Sequence, residues 1–262
     1  MDVPWAIQRM EAFLADRLAS ADAGGYVVGV SGGLDSAVAT TLAVRAVGAD
    51  AVLGLIMPGR PNDPANMADA RGLCRGRGIE FEEFSIQPVV DAVGAQLPFG
   101  PSWLTLGNVR ARSRMVLTYA VANERELLVL GTGNRSERLL GYVTKYGDAA
   151  ADVLPMKDLY KTEVVDVARA LDLDERFVEK PPTAELWAGQ TDEGEIGADY
   201  ETVDAVLRRL VDENQSPARV ATTTDIDRET VDRLAEMWRS TAHKRAMPPG
   251  PRLRSSGRSP PP

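Results

Sequence analysis

Apolar residues recur at helical spacing between Pro4 and Ala21, at Ile7, Met10, Phe13, Leu14 and Leu18, and Gly24-Gly25 stops the run. The pattern then changes to short strands alternating with helices. Tyr26–Val30 is a β-branched run, and Leu34–Val47 reads as a helix. Val52–Met57 predicts a second strand, followed by a helix around Ala65–Arg77. Phe81–Phe84 predicts a third strand, ahead of a helix near Pro88–Leu97. A longer helix spans Asn108–Glu124, and Leu127–Leu130 is a fourth strand. After residue 155 the period is helical throughout, over Tyr160–Leu171, Tyr200–Asp212 and Arg228–Ala246. This alternation predicts an α/β fold, a Rossmann-like, doubly wound parallel sheet with helices on both faces and a helical C-terminal part. Two stretches, Gly141 to Pro155 and Lys180 to Ala198, follow no period. Loops longer than about 12 residues in a compact domain usually carry function, so both are candidate lids.

Composition narrows the class. With 262 residues, one large domain over residues 1–247 is expected, followed by a Pro- and Arg-rich tail, 248–262, that reads as disordered. Cys74 is the only cysteine, which excludes a disulfide framework and cysteine-based zinc sites. No run approaches the roughly 18 apolar residues of a membrane span. Met1 to Glu11 lacks the basic-then-apolar order of a signal peptide, so a cytoplasmic protein is expected. The 30 basic and 38 acidic side chains give a net charge of −8. Lys244 and the residues after it include five basic side chains and no acidic one, so the body before them is more acidic than the whole. That balance argues against nucleic acid and anionic membranes as partners.

The most informative stretch is Gly29-Val30-Ser31-Gly32-Gly33-Leu34-Asp35-Ser36, which leaves the first strand and enters a helix. It therefore falls at the carboxyl end of a parallel strand, where open α/β sheets bind ligands. Gly32 and Gly33 let backbone N–H groups close on an anion, and the helix N-terminus adds partial positive charge. Asp35 would repel a phosphate unless a divalent cation lies between them. The stretch is neither a Walker A loop nor a Gly-x-Gly-x-x-Gly fingerprint. A Gly-Gly pair alone would be a tight turn; the whole string resembles the pyrophosphate-binding loop of the N-type ATP pyrophosphatases.

A second string, Gly131-Thr132-Gly133-Asn134-Arg135-Ser136-Glu137, follows the fourth strand and runs on to Gly141-Tyr142-Val143-Thr144-Lys145-Tyr146-Gly147-Asp148. It brings a second carboxylate, Glu137, to the rim that holds Asp35, and two carboxylates with phosphate oxygens suit magnesium. An early helix position favours Glu137 in any case. Together the two strings resemble the NAD synthetases, over roughly residues 1–247, and the resemblance implies an adenine nucleotide alpha hydrolase-like fold. It further implies that Gly29, Val30, Ser31, Gly32, Gly33, Leu34, Asp35 and Ser36 bind ATP. Thr132, Lys161 and Thr183 would add ATP contacts, and Asp35 and Glu137 would hold Mg2+. Arg112, Lys145, Asp152, His243 and Lys244 would contact deamido-NAD. Asp35, Glu137 and Lys161 would carry the chemistry.

Several residues admit plainer readings. Val109, Ser113, Val116 and Ala120 define the inward stripe of the long helix, with Arg112 on its margin and Arg110 and Arg114 further outward. An arginine there pairs with an acid or with a ligand phosphate. Lys161 is alternatively an exposed first-turn lysine, Lys145 a solvated one, and His243, the only histidine, a cap or surface residue. Cys74 reads as a bystander and the four tryptophans as packing, although Trp187 lies in the second loop. Met57–Pro64 is less serine-rich than in the family, and no contact is assigned to it.

The implied reaction is ATP-dependent amidation of deamido-NAD with ammonia, giving NAD, AMP and pyrophosphate. The implied partners are these small molecules and a second copy of the chain in a homodimer. Glutamine would require a separate glutaminase. The rivals are another N-type synthetase and a non-catalytic adenine-nucleotide-binding module.

Overall fold

The computed structural model describes residues 1–187 and 189–251; the expected tail from Arg252 onward lies outside the described residues. Four strands, β1 (Gly25–Gly29), β2 (Val52–Ile56), β3 (Glu80–Glu83) and β4 (Leu127–Leu130), form one sheet in the order β3-β2-β1-β4. All three pairings are parallel. All carboxyl ends therefore lie on one rim, and the strand order reverses between β1 and β4.

Helices cover both faces. On one side α1 (Val3–Ala21), α2 (Leu34–Val47), α3 (Pro64–Arg77) and α7 (Lys161–Ala170) pack on Tyr26, Val28, Val30, Ile56 and Leu130. On the other, α4 (Gln87–Gln96) and α5 (Trp103–Arg125) cover Val27, Leu53, Leu55 and Val129. Burial on both faces explains why β1 and β2 read as continuous apolar runs. The remaining helices are α6 (Arg135–Leu140), α8 (Glu175–Val178), α9 (Asp192–Ile196), α10 (Tyr200–Leu207), α11 (Pro217–Thr223) and α12 (Arg228–Ser240). Helix α10 continues as a π-helical turn, Arg208–Asp212, and α12 is followed by a 3-10 turn, Ala242–Lys244. Residues of α10, α11 and α12 form a second apolar cluster with Leu140 and Tyr160. Among the described residues, no helix is long and apolar enough to cross a membrane.

The sheet and its windings match the periodicity, and three local expectations need correction. Helix α5 begins at Trp103, five residues before the expected start, where Ser102 caps it by accepting from the Thr105 amide. Its buried side is made of small residues, Gly107, Ala111, Ser113, Thr118 and Ala122, whereas Val116 is 56% exposed. A helix pressed closely on a neighbour selects small side chains, so the bulkier stripe pointed the wrong way. Arg114 faces inward as a result. Helix α11 escaped the apolar count, although Ser216 and Pro217 give it a cap and a first-turn proline.

The sheet layer and the C-terminal helices meet at Asp204, which is buried in α10. Its carboxylate accepts from the Ser136 hydroxyl on α6 and from the Thr162 amide and hydroxyl on α7, the latter two at 2.9 and 2.8 Å. Asp204→Ala would leave these buried donors unmatched, so unfolding in urea is expected to show a loss of at least about 2 kcal/mol. A surface control such as Asp232→Ala should stay within about 0.5 kcal/mol.

Candidate active site

A cavity of about 940 Å³ opens at the carboxyl rim, lined by Gly29–Ser31, Gly33–Ser36, Leu130–Gly133, Glu137 and both long loops. It sits at the reversal of strand order between β1 and β4, the usual ligand crevice of open α/β sheets.

Gly32 has φ +81°, and a Cβ there would lie 2.0 Å from the Asn66 carbonyl oxygen, so no other residue fits. Gly33 is the N-cap of α2 and supplies no side-chain acceptor to the first-turn amides. The Ser36 hydroxyl donates to the Gly33 carbonyl at 3.0 Å and accepts from the Ser31 amide at 3.2 Å, which holds the loop in shape. An uncapped helix start beside a glycine loop is an anion site in waiting.

Lys161 opens α7 and is only 6% exposed. Its ammonium pairs with Asp35 and lies 3.9 Å from Glu137 Oε1. Asn134 joins the two acids. Its amide donates to Asp35 Oδ1 at 3.0 Å, and its carbonyl caps the Glu137 amide at 3.0 Å. Burial, reinforced by Asp35, pushes the Glu137 carboxyl up to about 8 against the pull of Lys161. For Lys161, burial disfavours the charge, but Asp35 and Glu137 outweigh it and hold the amine protonated well above its usual range. Asp192, also buried, has its carboxyl raised by burial despite Lys161. Its Oδ2 accepts from the Tyr200 hydroxyl at 3.1 Å, and the Tyr200 ring lies beneath the Lys161 ammonium at 5.5 Å.

Both long loops border the cavity, and the second contains α9. Lys180 donates to Gly32 O at 2.8 Å and to Asn66 and Asp69, both at 2.6 Å. Glu185 accepts from Asn62 and Asn66 at 2.9 and 2.6 Å. Arg114, which the apolar stripe placed outward, donates to Met57 O and Asn62, and burial lowers it to about 10. The first loop is held by Lys244, which donates to Gly141 O and Val143 O at 2.6 and 2.8 Å.

Of the expected site residues, Thr132, Thr183, Lys161, Lys244 and Glu137 line this cavity with the 29–36 loop, except Gly32, which packs against the Asn66 backbone. Arg112, Lys145, Asp152 and His243 do not. Arg112 is exposed and donates to the Lys145 carbonyl at 3.2 Å. Asp152 accepts from the Val129 amide at 2.7 Å and the Tyr119 hydroxyl at 3.2 Å, and lines a separate cavity. His243 is exposed. Cys74 is buried under β2 in the core, and burial raises its thiol to about 11. The sequence reading missed the part played by Asn134, although Asn at an N-cap with Glu three residues on is a capping box. It also missed Lys180, Glu185 and Asp192, which fall in a stretch without periodicity.

Burial and the neighbouring Asp35 raise the Glu137 carboxyl above its free value, so folding takes up a proton there, and this contribution to stability falls as pH rises above the free carboxylate range. Glu137→Gln removes that cost. In thermal melts without added metal, its stability gain over wild type is expected to grow from about pH 5.5 to about pH 8.5.

Known proteins are similar to this chain over nearly its whole length. The NAD synthase family model matches residues 6–248. The NH(3)-dependent NAD(+) synthetase of Thermococcus kodakarensis is 45% identical over 251 residues, covering 96% of this chain and 98% of that one. The NMN synthetase structure from Francisella tularensis superposes with a TM-score of 0.86 at 34% identity, covering 97% and 100%. The NH3-dependent NAD synthetase from Campylobacter jejuni, in complex with a nitrate ion, gives 0.82 at 32%, covering 96% and 100%. A parallel sheet with a glycine-loop cavity at its rim and a match across nearly the whole length lead to one assignment: the chain belongs to the NAD synthase family.

Proposed function

We propose that the protein amidates deamido-NAD with ammonia at the expense of ATP, forming NAD, AMP and pyrophosphate. The observation that carries this is the meeting of Asp35, Glu137 and buried Lys161 beside the uncapped start of α2, inside one cavity. In this reading the nicotinate carboxylate attacks the α-phosphorus, the bond to the β-phosphate oxygen breaks, and pyrophosphate leaves. Ammonia then bonds to the acyl carbon as the C–O bond to AMP breaks. The 29–36 loop and α2 receive the phosphates, Thr132 and Thr183 add contacts, and Lys161 offsets phosphate charge through its fixed ammonium.

Magnesium fits the donor set. Asp35 and Glu137 are hard oxygen donors sharing one lysine, and a two-carboxylate site completed by phosphates is typical of this ion. When bound, it would neutralise phosphate charge as the leaving group departs.

A homodimer is part of the same proposal. Arg112, Lys145 and Asp152 lie outside the cavity, and Trp103, Leu104 and Val116 on the same helix as Arg112 are 53–59% exposed. A second copy laid on this surface would cover apolar area and bring a substrate-binding set into an enclosed site. The cytoplasm, with a separate glutaminase where glutamine is the nitrogen source, is the proposed setting.

Incubation with ATP, magnesium, ammonium and deamido-NAD is expected to give NAD and AMP in equal amounts, with no AMP when deamido-NAD is omitted. Nicotinic acid mononucleotide is run in parallel, because the Francisella relative is named for NMN; a preference for it would change the substrate assignment. Asp35→Asn and Glu137→Gln should each cost at least about 100-fold in kcat, and the double variant little more, since the two act as a unit. Replacing Arg112, Lys145 or Lys244 should raise KM for deamido-NAD more than KM for ATP, by roughly tenfold. Cys74→Ala should be as active as wild type, with glutamine alone unable to support turnover. Light scattering at micromolar concentration should give twice the chain mass.

A further inference from the structure

The Lys180 ammonium has three protons, and each has an acceptor within the protein. They go to the Gly32 carbonyl at 2.8 Å and to Asn66 Oδ1 and Asp69 Oδ2, both at 2.6 Å. Two of these acceptors belong to α3, and Gly32 itself packs against the Asn66 backbone. Asp69 is further held by Arg176, 3.4 Å away. The lysine thus has a fixed seat on α3 and no proton left over for a ligand.

The bond to Gly32 sets an orientation as well as a distance. Gly32 is buried, and it alone of residues 29–36 stays out of the cavity lining, whereas Ser31 and Gly33 on either side belong to it. A trans peptide is planar, with its C=O and N–H pointing in opposite directions. Because Lys180 holds the Gly32 carbonyl on the α3 side, the Gly33 N–H points the other way, where it donates to the Ser31 hydroxyl at 3.2 Å. The loop's own residues do not fix this plane. Glycine on both sides lets it turn over without meeting a Cβ, and Gly32 already sits at φ +81°. Ser36 pins the next carbonyl, that of Gly33, and leaves this one to Lys180. Turned over, the plane would offer a carbonyl oxygen where an anion needs an N–H.

We propose that Lys180 is a positioning residue of the phosphate loop, clamping the Gly32 carbonyl away from the cavity so that the Gly33 N–H is presented to a phosphate of ATP. This rests on the proposed use of ATP and adds to it a link between two segments: the second long loop supplies the lysine that sets the glycine loop's donor. Lys161 acts on the phosphates through its own charge, whereas Lys180 acts through a peptide plane.

The test uses pyrophosphate and AMP as product inhibitors, because pyrophosphate carries the groups that the loop would hold and AMP lacks them. In Lys180→Met the Ki for pyrophosphate and the KM for ATP are expected to rise at least about tenfold, the loss of one charge-assisted contact, with the Ki for AMP and the KM for deamido-NAD within about threefold. Lys180→Gln, neutral but able to donate to the carbonyl, should recover part of the loss. Equal losses in the two variants would mean that the lysine charge acts on the phosphates directly, and a matching loss for AMP would mean a general structural role; either result overturns the inference. A second reading needs no turnover. Gly24-Gly25 and Gly32-Gly33 are the Gly-Gly pairs of the chain, so glycine labelled with carbon-13 at the carbonyl and with nitrogen-15 gives one amide correlation for each. Pyrophosphate should move the Gly33 correlation of wild type and leave that of Gly25 in place, and the movement should shrink in saturated Lys180→Met. A Gly33 signal indifferent to pyrophosphate in wild type, or moving equally in the variant, would refute the role. Should Lys180→Met fail to fold, as read by circular dichroism, Asp69→Ala decides: with one anchor of the lysine removed, the Ki for pyrophosphate should rise at least about threefold and that for AMP should not. Wild type that binds neither ATP nor pyrophosphate would instead overturn the proposed function.

Discussion

The rest of the site depends on the burial of the Lys161 ammonium. A lysine at 6% exposure needs compensating charge, and here it gets it from Asp35, with Glu137 at 3.9 Å. The arrangement also works against one helix and with two others. Lys161 is the first residue of α7, where the helix dipole disfavours a cation, while Asp35 and Glu137 sit in the first turns of α2 and α6, where it favours anions. Three helix starts thus converge on one point, and a parallel sheet with all carboxyl ends on one rim is what brings them there.

The loops over this centre are fastened by polar contacts. Lys180 ties the second loop to the glycine loop and α3, Glu185 ties it to Asn62 and Asn66, and Lys244 ties the first loop to the 3-10 turn after α12. Such contacts are individually modest and exchange readily with ligand or water. The packed sheet beneath forms the floor of the cavity, and the polar straps above form its wall. Trp187 marks the boundary between the two regimes, stacked edge-on against Trp103 at 4.4 Å and seated over Gly107.

The substrate residues taken from the family divide by location. Lys244 lies in the cavity, whereas Arg112, Lys145 and Asp152 lie outside it, with Arg112 resting on the Lys145 carbonyl. One copy of the chain therefore presents a cavity at the sheet rim and, apart from it, an exposed surface that carries Arg112. That division is what gives a second copy a physical role in the proposed function.

The strands, their order of appearance, the glycine loop at the end of β1 and the first-turn position of Glu137 were legible in the sequence. Each depends on residues within a few positions of one another, where backbone periodicity and helix-start chemistry act. The inward turn of Arg114 was not legible, because a helix face lined by small residues looks polar when side chains are weighed by size. Nor were the partners of Lys161 and Lys180. Asp35 and Lys161 are 126 residues apart, and no local pattern records a contact across that distance. The sequence by itself determined the strands, helices and anion loop, because these follow from short-range sterics and hydrogen bonding. Which buried charges face each other was decided only by the tertiary structure, because the closing of the sheet sets those distances.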